Sequence, residues 1–271
     1  MIRRTSQTTE APPAWILIPQ TEHARLAGEL ADVWQSLPVS DRLQKSLRWV
    51  IYHHDDGWAE WEREPDVDER QRPVDFLEMA HPVANRIWTR SIERAAERGA
   101  AEAYLVARHF LDLREAGILR ATDVPAGSEP IDFTSDACPG SVADCEFTRH
   151  FETCARQWQQ AAVEQIVSST AADDLVRARL RLQHFDWLSL LLCCDPTHKR
   201  ELLPEPLEDA GKVELVPRDE WQFTLDPWPL RVNELELAAH AWSVPVAEYA
   251  SGQAVMQAAT SVVLRWQLLR G

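Results

Sequence analysis

Lysine is almost missing from this 271-residue chain: Lys45, Lys199 and Lys212 are the only ones, and the remaining basic residues are arginines dispersed among 43 acids. At a formal net charge of -15 the surface repels phosphate backbones and anionic lipids unless basic side chains cluster locally. No such cluster occurs; Arg94 to Arg98 alternates with acids as a solvated helix face does. Nucleic acid and membrane surfaces are thereby excluded as expected partners, a small-molecule substrate is left, and nothing marks an oligomeric state. Long apolar runs are lacking too. The longest, Trp187 to Cys194, is well short of the roughly 18 residues that suggest a bilayer span. Met1-Ile2-Arg3-Arg4 leads into polar residues through Glu10, without the apolar stretch of a secretory signal. The cysteines (Cys138, Cys145, Cys154, Cys193, Cys194) are odd in number and include no C-x-x-C pair, so a reduced, cytoplasmic setting is expected. Zinc binding by Cys138, Cys145, His150 and Cys154 is disfavoured against plain thiols for the same reason.

What is present is an ordinary globular composition, 45% hydrophobic and 26% charged. Residues 1–13 read as a flexible tail, and Trp15-Ile16-Leu17-Ile18 as a short strand stopped by Pro19. Apolar residues then recur at helical spacing. Thr21 is placed to cap a helix with the stripe Leu26, Leu30, Val33 and Leu37, and Ser40 a second with Leu43, Leu47, Val50 and His54, ending at Gly57. Further helices are expected from Pro82 to Gly99, Ala101 to Glu115, Phe147 to Val167 and Asp173 to Cys194. Thr122 to Gly140, with three prolines, reads as a connector rather than a lid. After Leu203 alternation replaces the helical period, over Val213 to Leu225 and Val232 to Trp242, and Val262 to Trp266 is a last strand with which Trp15 to Ile18 can pair. The expected fold is mainly α: a helical bundle over residues 14–203, with a small antiparallel β element from a 204–271 extension that packs on the same domain and that the N-terminal strand can join.

The chemistry concentrates in Tyr52-His53-His54-Asp55-Asp56-Gly57-Trp58. His54 continues the stripe Leu43, Leu47, Val50, while His53 is turned about 100° away, so His54 faces inward. Asp55 follows at a helix C-terminus, where the helix dipole disfavours a carboxylate and a cation would offset the cost. Other helices repeat the pattern of a polar residue on an apolar stripe: His23 beside Leu26 and Ala27, His109 four after Leu105, Asp186 four after Leu182. A buried carboxylate among leucines needs a cation or several donors. Imidazoles and carboxylates converging from separate helices suit a divalent transition metal, one or two ions, with Fe or Mn favoured. Asp55 and His54 are the primary catalytic candidates, with His53 and Asp56 beside them to orient the ligands. His150, His184, His198 and His240 fit no pattern and are read as structural or surface residues.

These residues resemble the HD-domain superfamily of metal-dependent phosphohydrolase-like proteins, whose pattern is a His, a His-Asp pair and a distant Asp: here His23, His54-Asp55 and Asp186. The resemblance to its dinuclear branches adds His81 and His109 as ligands. The extended His-Asp-x-Gly-Trp, with Gln20-x-x-His23 and Asp186-x-Leu188-Ser189-Leu190, is similar to an uncharacterised bacterial family, a domain of unknown function, over the chain from about Trp15 onward. The superfamily implies a metal-dependent hydrolase, dinuclear in form, acting on a phosphoester or related small-molecule bond. Its oxygenase members imply a mixed-valent di-iron alternative, with Trp58, Trp61 and Trp88 able to wall the site from water. A non-catalytic binding protein is the third reading. One departure bears on substrate: where many HD hydrolases carry a basic residue after the pair, Trp58-Ala59-Glu60-Trp61-Glu62 stands here. Arg25, Arg86 or Arg108 would then have to hold phosphate.

Overall fold

The computed structural model describes residues 1–5, 12–35, 39–115, 142–166, 168–194, 200–201 and 213–271. The expected connector from Thr122 to Gly140, and Cys138 within it, lie outside these residues. Six of the helices form where the apolar period predicts them: α1 (Gln20–Val33), α2 (Asp41–His53), α3 (His81–Arg98), α4 (Ala100–Glu115), α5 (Val142–Ile166) and α6 (Ala171–Cys194). Each turns its apolar stripe inward. In α2, for example, Leu43, Leu47, Val50 and Ile51 are all buried, and in α6 Leu175, Ala178, Leu182, Phe185 and Leu188 are. A short α7 (Gly252–Ala258), capped by the Ser251 side chain, lies between the last two strands.

The expectation of a helical bundle with a small antiparallel appendage is overturned by the sheet. It is a seven-stranded mixed sheet that curls towards a half-barrel. Its strands are β1 (Ile2–Thr5), β2 (Ala14–Ile18), β3 (Arg200–Glu201), β4 (Glu214–Pro217), β5 (Gln222–Asp226), β6 (Glu234–Pro245) and β7 (Thr260–Leu269), in the order β1-β2-β6-β7-β5-β4-β3. β6 and β7 pair over ten positions, from Glu234 with Leu269 to Ser243 with Thr260. The parallel pairing of β5 with β7, Phe223 opposite Leu268, makes the sheet mixed. Two further expectations are corrected. Residues 2–5, read as tail, form the edge strand β1, held by β2 in the register Ile2 with Ile18. The strand at Trp15 to Ile18 pairs with β1 and β6, not with the last strand. The segment after residue 203 packs on the helices: Leu237, Ala239, Trp266 and Leu268 share one core with Leu26, Leu30, Leu182 and Leu188.

Two contacts fix α1 on this sheet. β2 pairs with Trp242 to Pro245 of β6, which leaves the earlier part of β6 without a strand on that side among the described residues. There the Glu22 carboxylate accepts from the His240 N–H at 2.8 Å, and Arg25 donates to the Ala238 carbonyl. At its start α1 has Pro19 as N-cap, which offers no side-chain cap. Glu62 supplies one from a distance: its carboxylate accepts from the Gln20 N–H, a donor that a helix start leaves open, and also from the Thr21 hydroxyl.

Candidate metal centre

Side chains from α1, the C-terminal end of α2 and α6 meet inside the helical layer. His23 stands in the first turn of α1 on the face of Leu26 and Ala27, and is 1% exposed. His54 closes α2, its N–H bonded to the Val50 carbonyl at 2.8 Å, and is fully buried. The chain leaves the helix at Asp55 and makes a 3-10 turn over Asp56–Ala59. Gly57 allows this turn: a Cβ there would lie 2.2 Å from the Ile87 carbonyl oxygen and 2.7 Å from the Ser91 nitrogen of α3. Its N–H donates to Ser91 Oγ at 2.9 Å. The turn thus rests on α3 and directs Asp55 and Trp58 into the core. Gly57→Ala is expected to cost about 1–3 kcal/mol through overpacking, a fall in melting temperature of roughly 2–10 °C for a chain of this size. An unchanged midpoint by calorimetry would show that the turn can lift off α3.

The reactive atoms lie close together. His23 Nε2 is 2.8 Å from Asp55 Oδ2 and 3.6 Å from Asp186 Oδ1. His54 Nε2 is 3.2 Å from Asp186 Oδ1 and 3.7 Å from Asp55 Oδ2. Behind them, His54 Nδ1 donates to the Ile51 carbonyl at 3.0 Å, and Trp58 Nε1 donates to Asp55 Oδ1 at 3.1 Å. Ser189 Oγ lies 2.9 Å from His23 Nδ1 and donates to the Asp186 carbonyl at 2.9 Å. Each imidazole therefore turns one nitrogen on a carboxylate oxygen. A lone pair facing an anion at such a distance is repulsive, so positive charge, as protons or as a cation, belongs between them. Two atoms bound about 2.1 Å from one ion at a tetrahedral angle are about 3.4 Å apart, and the observed separations bracket that value. The donor set, imidazole nitrogen with carboxylate oxygen, fits a divalent transition metal.

Among the described residues, His23, His54 and Asp186 are the one set of three or more potential ligands whose atoms lie within 4.8 Å of one another. This buried group can hold a metal ion.

The electrostatics follow from burial and from the carboxylates. Burial pushes the His54 imidazolium down, but the Asp55 charge, the Asp186 hydrogen bond and the Ile51 carbonyl outweigh it and raise His54 to about 9. Burial raises Asp186, yet the imidazoles of His109, His54 and His23 bring it down to about 2. Asp55 is lowered in the same way, burial being outweighed by His54 and His23. His109, from α4, has its ring in edge contact with His54 at 5.1 Å and its Nε2 4.0 Å from Asp186 Oδ2. Burial lowers its pKa, and its Nδ1 has no hydrogen-bond partner among the described residues.

Other expected members stand elsewhere. His81 is the first residue of α3, half-buried, and outside the metal-holding group. His53 and Asp56 pair with each other at 3.1 Å on the partly exposed side of α2, with the His53 ring stacked on Trp49 at 4.7 Å, so they do not orient the ligands. The arginines considered for phosphate are engaged: Arg25 with Glu22 and Glu29, Arg108 with Asp112 and Glu115, Arg86 with the Pro82 carbonyl. Of the aromatic wall, Trp58 touches the cluster, Trp61 packs edge-on against Trp58, and Trp88 stacks on Phe110 in the core. His150 Nε2 is 3.7 Å from Cys154 Sγ on α5, without a third ligand among the described residues.

Ser189 and Glu62 carry contacts that the sequence reading passed over. Ser189 had a signal, its i+3 spacing from Asp186 on one helix face; Glu62, one of three acids in Glu60-Trp61-Glu62-Arg63-Glu64, had none.

A family model described as Protein of unknown function (DUF3891) matches residues 1–245. No curated protein and no solved structure matches the chain.

Proposed function

We propose, from the premise that this chain belongs to the DUF3891 family, that it is a metal-dependent hydrolase of the HD type acting on a phosphoester or related small-molecule bond. Since the family description assigns no reaction, the reading rests on the cluster. The observation that carries it is the convergence of two imidazole nitrogens and two carboxylates within 2.8–3.7 Å, almost wholly out of solvent. The order His, His-Asp, Asp in the sequence supports the HD comparison.

His23, His54 and Asp186 would hold a divalent ion, with Asp55 Oδ2 as fourth donor. When bound, such an ion supplies Lewis acidity and makes hydroxide available from water near neutral pH. The chain's own residues do the rest. Trp58 occupies Asp55 Oδ1 and so leaves Oδ2 for the ion. His109, its pKa lowered by burial, turns Nε2 towards Asp186 Oδ2 at 4.0 Å. The carboxylates are the least enclosed part of the group, with side chains 7% exposed against 0–1% for the imidazoles, which favours approach of substrate on their side.

His109 also favours a second reading. Its Nε2 lies near the Asp186 oxygen that does not face His54, an arrangement that suits a second ion and hence the di-iron alternative. Metal content of protein purified without chelator or added metal discriminates. About one divalent ion per chain, with metal-dependent turnover of chromogenic phosphoesters or esters that Asp55→Ala lacks, is the expected result. Two irons per chain with mixed-valent spectra would favour the second reading, and protein that binds no divalent metal would overturn both.

A further inference from the structure

Ser189 lies three residues after Asp186 on α6 and is fully buried. A serine hydroxyl has a single proton to give. The Asp186 carbonyl oxygen, 2.9 Å away, can only accept, and with the proton turned to it the 2.9 Å contact with His23 runs in the other direction, from the ring Nδ1–H to the serine oxygen. With Nδ1 protonated, Nε2 is the nitrogen left to meet the carboxylates, and it is the atom 2.8 Å from Asp55 Oδ2 and 3.6 Å from Asp186 Oδ1. His54 reaches the same state through a different acceptor, the Ile51 carbonyl, which cannot donate at all. The two rings, from different helices, are thus prepared alike: one by a backbone carbonyl of its own helix, the other by a side chain from the helix that carries Asp186.

We propose that Ser189 is a positioning residue of the metal centre, fixing His23 as the Nδ1–H tautomer and committing Nε2 to the ion. The inference rests on the metal-binding reading above. Partners of this kind, one bond removed from the ion, hold ring orientation and ligand basicity, and their loss typically weakens metal binding 10- to 100-fold. Ser189 does more than hold a ring, because the same oxygen bonds the backbone of Asp186. It therefore sets the distance between a donor on α1 and a donor on α6.

The test uses the full chain, stripped of metal and titrated with zinc alone. Long-range 1H–15N histidine spectra of the zinc-loaded wild type are expected to show His23 protonated at Nδ1 and metal-shifted at Nε2, a readout that a purely structural serine would not determine. Ser189→Ala is expected to weaken zinc binding about 10- to 100-fold and to leave His23 without a single tautomer, while Ser189→Thr, which keeps the hydroxyl, stays close to wild type. Zinc on Nδ1 of His23 in the wild type, or Ser189→Ala binding zinc as tightly as wild type, overturns the role of Ser189 and leaves the metal reading standing. A wild type that takes up no zinc overturns both.

Discussion

Asp186→Ala should all but abolish metal binding while leaving the helices in place. Tight four-ligand protein sites bind with apparent free energies of roughly 10–16 kcal/mol, so one ligand contributes on the order of 3 kcal/mol, a factor of 100 or more in Kd. Asp186 should cost at least that. Its Oδ1 faces both His54 and His23, and its removal takes away the nearest carboxylate of the buried His54 ring and leaves Asp55 alone to face both imidazoles. Isothermal titration with manganese or zinc, beside circular dichroism to verify helix content, checks this. Wild-type affinity in the variant would mean that Asp186 is a counter-ion for the histidines and no ligand.

The second large effect is on pH. With His54 raised to about 9, each ion that binds at lower pH must displace a proton from it. Apparent affinity should therefore climb up to about tenfold per pH unit and level off near pH 9. Asp186, lowered to about 2, stays ionised throughout and adds no slope. Metal-free protein should respond in the opposite sense. A histidine whose folded pKa lies above its unfolded value stabilises fully below about 6.5, and that contribution, on the order of 3 kcal/mol, is lost as pH rises through about 9. Asp186 contributes above about 4 and loses its contribution as pH falls towards 2. Melting temperatures in chelator should thus fall as pH rises from about 6.5 towards 9, and added metal should raise the alkaline side most. Affinity independent of pH from 6 to 9 would sink this account.

The cluster was legible because burying a carboxylate or imidazole among leucines breaks the hydrophobic period in a way that can be counted: four after Leu182 for Asp186, four after Val50 for His54. His81 was not, since it came from the resemblance to the dinuclear HD branches, and order along the chain carries no distance. Its position at the first turn of α3, beside Pro82, leaves it half-buried and outside the group. The helices were legible for the same reason as the cluster. The sheet was not. In β6 Ala238 and Trp242 on the outer face are partly covered and the alternation changes phase at Ser243, with Val244 buried, so the sequence pattern ends at Trp242 and the strand runs on to Pro245. β1, with Arg3 and Arg4, has no apolar pattern of its own and exists only through its register with β2.

The unpaired flank of β6 has a meaning beyond the site. Backbone groups left open along a strand are a template on which another chain can add, the first step towards aggregates and swapped dimers. Here Glu22 and Arg25 occupy that template at His240 and Ala238. The helix that presents His23 therefore also guards the sheet, and a substitution that loosened it would endanger colloidal behaviour along with chemistry.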